Sequence, residues 1–323
     1  MKAAVHCREP ARWRRLQRII VGHDLGSGGA AALESAVVLA RRFAASIRLV
    51  HVVQPRHFFQ RGARLSGRHR TLDESVMRSG ADLEQVIDTR TDCRRPIDYE
   101  VRVGKPFFEL MLAARAWRAD LIVVGGPQRQ HFHLWGSTAE RLVRNSFAAV
   151  LVAHKPLNGV AKRFLIATDF SSTARQAAEA GIGLAKSFAG RIFFCHALDP
   201  TPWYSYPCDE ETLGLRWIPE LTRDDVAADW ASFLGRLPVE SVPWQVRTVE
   251  GRPVEMIVKY AEEIGADLII MGTHGRTGLE YAFLGSVAEG VARRASTPVL
   301  TVGREGLQFS LLQIAGKKRF SQR

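Results

Sequence analysis

The sequence predicts two tandem α/β domains, each a doubly wound, five-stranded parallel sheet with helices on both faces. Three observations carry that expectation. The chain repeats once. Short apolar runs alternate with helical stretches in the same order in both copies. In each copy one apolar run ends in glycine, ahead of a helix that opens Gly-Ser. Strands that alternate with helices make parallel sheets covered on both faces. A length of 323 residues also suits two domains.

The repeat is read directly. Gly104-Lys105-Pro106 and Ala119-Asp120-Leu121-Ile122-Val123-Val124-Gly125 match Gly251-Arg252-Pro253 and Ala266-Asp267-Leu268-Ile269-Ile270-Met271-Gly272 at an offset of 147. Upstream, Asp24 pairs with Asp169 and His51 with His196 at 145. Downstream, Gly136-Ser137 pairs with Gly285-Ser286 at 149. Both changes of offset fall in loops, which absorb such differences.

Taken in order, Arg18–Asp24 reads as a strand. Ala30–Ala45 reads as a helix with Leu33, Val37, Ala40 and Ala44 on one face. Ile47–Val53 is a strand, Leu72–Asp88 a helix inside an irregular stretch, and Asp98–Val103 a strand. Pro106–Trp117 is a helix whose proline sits in the first turn, where it is welcome. Leu121–Gly125, Gly136–Asn145 and Ala149–Ala153 follow as strand, helix and strand. The second copy repeats the order: strand Phe164–Asp169, helix Ser172–Ala189 capped by Ser171 or Ser172, strand Arg191–Ala197, helix Asp224–Leu234. Then come strand Trp244–Val249, helix Pro253–Ile264, strand Leu268–Gly272, helix Gly285–Ser296 and strand Val299–Val302. The domain boundaries are a basic extension at 1–17, a first domain at 18–155, a linker at 156–162, a second domain at 163–304 and a basic tail at 305–323. The final strands, Ala149–Ala153 and Val299–Val302, are expected to join the two domains as a pseudo-dimer.

The stretch with most chemistry runs from Met271 to Ser286. It is strand, Gly-rich loop and helix N-terminus, the place where α/β sheets bind phosphate. Gly272 and Gly275 let backbone N–H groups approach an anion, and Gly285-Ser286 opens a helix whose unpaired amides face outward. The loop lacks the Gly-Lys-Ser/Thr ending of the P-loop and the compact three-glycine fingerprint of dinucleotide sites. Gly272, two residues, Gly275, nine residues and Gly285-Ser286 resemble the ATP-binding signature of the universal stress protein family. Leu165-Ile166-Ala167-Thr168-Asp169 and Cys195-His196-Ala197-Leu198-Asp199 extend the resemblance, which covers nearly all of both halves. It implies a stress-response protein that binds ATP, with Mg²⁺ as a candidate companion ion. It places Ala167, Asp169, Ala197, Met271, Gly272, Gly275, Arg276, Gly285, Ser286 and Val287 around the nucleotide. Two bland readings stand beside these roles: Asp169 as a cap for the next helix and Arg276 as an exposed loop cation. His196 and His274 read as structural, and His131-Phe132-His133 lacks the partners of a metal site.

The first copy departs from this pattern. Gln128 stands where the loop's second glycine is due, Pro127 removes a backbone donor, and seven residues separate Gln128 from Gly136-Ser137. Weak or no nucleotide binding is expected there, although Asp24 is retained. Gly26-Ser27-Gly28-Gly29 reads as a flexible turn.

Composition narrows the classes. No apolar run reaches the roughly 18 residues of a membrane span. The Arg-rich N-terminus lacks the apolar stretch of a secretory signal. Cys7, Cys93, Cys195 and Cys208 show neither a disulfide framework nor zinc-site spacing, so a cytoplasmic location is expected. The net charge of +12 lies wholly in residues 1–155, with 26 Lys and Arg against 14 Asp and Glu. No groove-reading motif accompanies those arginines, so nucleic acid is not the expected partner. The leading expectation is a regulatory ATP-binding protein with no catalytic residues and no metal site, and with homodimerisation open. The alternatives are a slow ATP hydrolase, for which the loop supplies no evident base, and an adaptor for an acidic partner or nucleic acid.

Overall fold

The computed structural model describes residues 16–54, 71–89, 96–126, 137–199, 223–273 and 286–303. The first half comprises β1 (Arg18–Gly22), α1 (Ser27–Phe43), β2 (Ser46–Val53), α2 (Leu72–Asp88), β3 (Ile97–Val103), α3 (Pro106–Ala116), β4 (Leu121–Gly125), α4 (Ser137–Asn145) and β5 (Ala149–Ala153). The second comprises β6 (Arg163–Ala167), α5 (Ser172–Phe188), β7 (Arg191–Leu198), α6 (Arg223–Leu234), a 3₁₀ turn (Val239–Ser241), β8 (Trp244–Glu250), α7 (Pro253–Glu263), β9 (Leu268–Gly272), α8 (Ser286–Arg294) and β10 (Val299–Val302).

The ten strands form one sheet in the order β3-β2-β1-β4-β5-β10-β9-β6-β7-β8. Within each half all neighbours are parallel. The halves meet where β10 runs antiparallel to β5, with Val299 opposite Val152, Leu300 opposite Leu151 and Thr301 opposite Val150. The two expected five-stranded sheets are thus continuous through their last strands.

Alternation along the buried strands sorts side chains to two faces. Ile19, Val21, Phe164 and Ile166 pack with α1 and α5, whereas Ile20, Leu165 and Ala167 pack with the helices of the opposite face. The joint obeys the same rule: Leu151 and Leu300 enter one core, Val152 and Val299 the other. Each core therefore crosses from half to half without a break. An Arg144–Glu289 ion pair links α4 to α8 above the joint, with Glu140 3.9 Å from the same guanidinium. Burial, then the neighbouring Glu289 carboxylate, pushes the Glu140 carboxyl above its usual range.

Two boundaries differ from expectation for one reason. The strand readings ran on to Asp24 and Asp169, but β1 ends at Gly22 and β6 at Ala167. Leu25 and Phe170 adopt left-handed φ values of 60° and 65°, which turns the chain out of each strand. Helix α1 also starts at Ser27, before the expected Ala30, so the four-residue turn 26–29 is largely helical.

Phe194 lies at the centre of an aromatic group on the second half, with Trp230, Phe233 and Trp244 rings all within 6.4 Å of its own. It is fully buried. Phe194→Ala is expected to cost about 3–5 kcal/mol, measured as a lowered urea midpoint with an unchanged m-value.

His154, just past β5, packs against the Gly126 backbone, and its Nε2 is buried without a hydrogen-bond partner among the described residues. Burial lowers its pKa from the ordinary 6.5. The unfolded chain then takes up this proton first, so the neutral ring's contribution is present above about pH 6.5 and is lost as pH falls through the folded value. Denaturation curves of wild type and His154→Asn across that range are expected to diverge, wild type losing more stability on acidification.

Candidate functional site

In an open doubly wound sheet the ligand crevice opens where neighbouring strands send their helices to opposite faces. Here β6 feeds α5 on one face and β9 leads to α8 on the other. The crevice lies at the carboxyl ends of this pair, where Ala167 stands opposite Met271 in register. Both side chains are buried and apolar, the floor that such a crevice would have. Ala197 lies at the end of β7 and is half-buried. Gly272 ends β9, Ser286 is the first residue of α8, and Val287 packs on the core beneath that helix. The structure thus brings together the ends of β6, β7 and β9. Gly275, Arg276 and Gly285, together with His274 and His131-Phe132-His133, lie outside the described residues.

The duplicated turns show how the two halves use the same parts. In the first, Asp24 Oδ1 accepts from Gly26 N at 2.9 Å and Gly29 N at 2.8 Å. The N-cap residue Gly26 has no side chain to offer, so Asp24 holds the start of α1. In the second, Asp169 Oδ1 accepts from Ser171 N at 3.0 Å, the counterpart of the Gly26 bond. The amide equivalent to Gly29, Ala174 N, donates instead to Ser171 Oγ at 3.1 Å. Ser171 has therefore taken over the capping of α5 from the aspartate. Asp24 thus holds the start of its helix, while the N-cap of α5, for which Asp169 was one reading, is Ser171.

Each turn is clamped from the neighbouring strand. His51 Nδ1 donates to His23 O and His196 Nδ1 to Thr168 O, both at 2.8 Å. A carbonyl accepts only, so each Nδ1 carries the proton. Within the turns, Leu25 N donates to His23 Nδ1 at 3.1 Å and Phe170 N to Thr168 Oγ1 at 2.9 Å. These bonds hold Leu25 and Phe170 in their left-handed conformation, which costs about 1–3 kcal/mol for a residue with a side chain. His196, read as structural, is such a clamp.

Gly272 was expected to open the way for an anion. Its nearest neighbours are protein: a Cβ there would stand 2.9 Å from Ala174 N and 2.9 Å from Thr173 C. Gly125 repeats this, with Gly28 C and O each 2.6 Å from the added atom. In both halves the glycine at the strand end lets the first helix approach the sheet. Sequence spacing alone does not separate this packing role from anion contact.

Cys195 is buried beside the floor, and burial pushes its thiol up to about 12. It is unsuited to nucleophilic or redox work at neutral pH. Among the described residues no group of three His, Cys, Asp or Glu is arranged to hold a metal ion, and no helix is long and apolar enough to cross a membrane.

Comparison with known proteins gives a consistent picture. The model of the Universal stress protein family matches twice, over residues 15–154 and 161–303. A universal stress protein of Methanocaldococcus jannaschii is 35% identical over 145 residues, covering 44% of this chain and 81% of that protein. A universal stress protein of Thermus aquaticus is 35% identical over 142 residues, covering 44% of this chain and 98% of that protein. The crystal structure of a universal stress protein from Archaeoglobus fulgidus matches with a TM-score of 0.68 over 90% of this chain and 99% of that one. At 21% identity that last likeness concerns the fold.

Gly272→Val is expected to destabilise the protein by about 1–3 kcal/mol before any ligand is added, because the clashing atoms are backbone. Thermal unfolding of the ligand-free variant checks this; an unchanged Tm would return Gly272 to a purely ligand-facing role.

Proposed function

This chain belongs to the universal stress protein family, and we propose that its second half binds an adenine nucleotide, ATP in the first instance, as a regulatory ligand in a stress response. The observation that carries the reading is the transfer of the α5 cap from Asp169 to Ser171. Asp169, half-buried at the crevice beside Ala167 and Met271, holds the Ser171 amide and not the amide of Ala174.

The chemistry fixes an orientation. A carboxylate accepts hydrogen bonds and repels phosphate. Asp169 therefore suits the base or ribose end of the nucleotide, where amino and hydroxyl groups donate. The purine lies over Ala167, Met271 and Ala197. The phosphates run toward the opening of α8 at Ser286 and Val287, whose helix dipole favours negative charge. Gly275, Arg276 and Gly285 complete that end on the strength of the family signature. Mg²⁺, where present, would neutralise phosphate oxygens. In the first half Asp24 holds the start of α1 with two amide bonds, so nucleotide occupancy is one per chain. Binding then acts as a switch, through differential affinity for two conformations. The cytoplasm is the proposed location, and assembly of two chains is left to direct measurement.

Calorimetric titration with ATP is expected to give a stoichiometry of one. Asp169→Ala is expected to weaken binding roughly tenfold, the scale of a hydrogen bond to a charged group. The Gly275→Val, Gly285→Val double variant is expected to weaken it further, while Asp24→Ala leaves affinity unchanged and lowers stability. Unchanged ATP affinity in the double variant sinks the assignment.

A further inference from the structure

A cleft of about 200 Å³ opens between the start of α5 and the end of α6. It is smaller than the roughly 300–1,000 Å³ of sites for drug-sized ligands. Phe170 and Phe233 form an apolar wall, their rings 5.7 Å apart and edge-on. Arg175 and Arg236 also line the cleft, and no ion pair joins either to a carboxylate among the described residues. Ser172 and Ser232 add hydroxyls, and Asp229 adds one carboxylate.

We propose that this cleft is a second ligand site, separate from the nucleotide crevice, that takes a small phosphate monoester with a short hydroxylated carbon body. Two guanidinium side chains lining one cleft suit the doubly negative, three-oxygen face of a phosphate monoester. The serine hydroxyls donate to the remaining oxygens. The phenyl wall accepts the carbon body and disfavours a fully hydrated inorganic ion. The positive end of α5 adds to the same field without being its source.

The duplication supports a feature acquired by one copy. At the established offset of 145, Phe170, Ser171, Ser172 and Arg175 correspond to Leu25, Gly26, Ser27 and Ala30. The first half lacks the arginine and the aromatic wall residue at this turn. Phe170 also connects the two sites, since it follows Asp169 directly and its ring lies 4.5 Å from that of the clamp His196. A ligand against Phe170 therefore touches the residue whose strained backbone sets the Asp169 turn.

The experiment is titration of the full chain with glycerol 3-phosphate and, separately, inorganic phosphate, followed by NMR and calorimetry, with and without saturating ATP. Glycerol 3-phosphate is expected to bind more tightly than inorganic phosphate. Arg175→Ala and Arg236→Ala are each expected to weaken it roughly tenfold or more while retaining ATP binding. Arg191→Ala, at the opposite end of β7, serves as the charge control. The proposal is overturned by absence of binding at millimolar ligand, by equal loss in the Arg191 control, by equal affinity for inorganic phosphate, or by full competition from ATP. A chain that binds glycerol 3-phosphate but not ATP would retain this site and reject the nucleotide reading, so the two failures are distinguishable.

Discussion

The antiparallel pairing of β5 with β10 is the constraint on which the rest of the molecule depends. A five-stranded sheet ending at either strand would expose a row of unpaired amides and carbonyls beside valine and leucine, which invites association. Pairing removes both edges at once. It also places Leu151 against Leu300 and Val152 against Val299, so two small cores become two layers that run the length of one sheet. Thr301 Oγ1, buried at the joint, donates to Val150 O at 3.3 Å. The helices above follow suit: Glu140 and Glu289 occupy equivalent places in the two copies and meet around Arg144. The remaining edges, β3 and β8, lie at the two ends of the sheet.

Because the joining strands run in opposite directions, the carboxyl ends of the two parallel sets point to opposite ends of the sheet. Two crevices made from the same duplicated parts cannot share one ligand across the joint. Each copy is therefore free to change its own crevice while the joint preserves the fold. The halves differ at the start of the first helix. The amide of the third helical residue is held by Asp24 in one copy and by Ser171 in the other. The histidine clamps, the left-handed residue after each aspartate and the glycine beneath the first helix are retained in both. What differs is which group holds that amide.

Much of this was legible in the chain because its signals are local. Leu121–Gly125, Leu268–Gly272 and Val299–Val302 are apolar runs bounded by turn residues, and their limits are those observed. Thr71 and Glu74 form a reciprocal capping box at the start of α2, which has the expected span. The misread ends lie where tertiary bonds override pattern. Nothing in Ile20-Val21-Gly22-His23-Asp24 marks Gly22 as the last strand residue; that is set by His51 reaching across from β2 and by Leu25 turning left-handed. Gly272 fits equally a loop that cradles an anion and a strand end that admits a helix, because both demand the absence of a Cβ. The approach of Thr173 and Ala174 shows that the packing demand is present here. The exchange of Gly26 for Ser171 was visible at the 145 offset and was the available signal for the transferred cap. Arg175 and Arg236 carried no such signal, since they are 61 positions apart and come to line one cleft only in the folded chain.

Ser171, the residue exchanged for Gly26, also lines the cleft between α5 and α6. A glycine at position 171 would return the helix cap to Asp169, as in the first copy, and draw the carboxylate toward the amides of α5. A serine there satisfies Ala174 N locally, and its hydroxyl also bonds Thr173 Oγ1 at 3.0 Å. The turn is then held by its own side chains. Phe170 is fixed between the clamp His196 and the rings of Trp230 and Phe233, at 4.5, 4.9 and 5.7 Å. That arrangement orients α6 against the start of α5 and shapes the cleft that Arg175 and Arg236 line. One side chain at a helix cap thus satisfies the third amide of α5 and lines a cationic cleft.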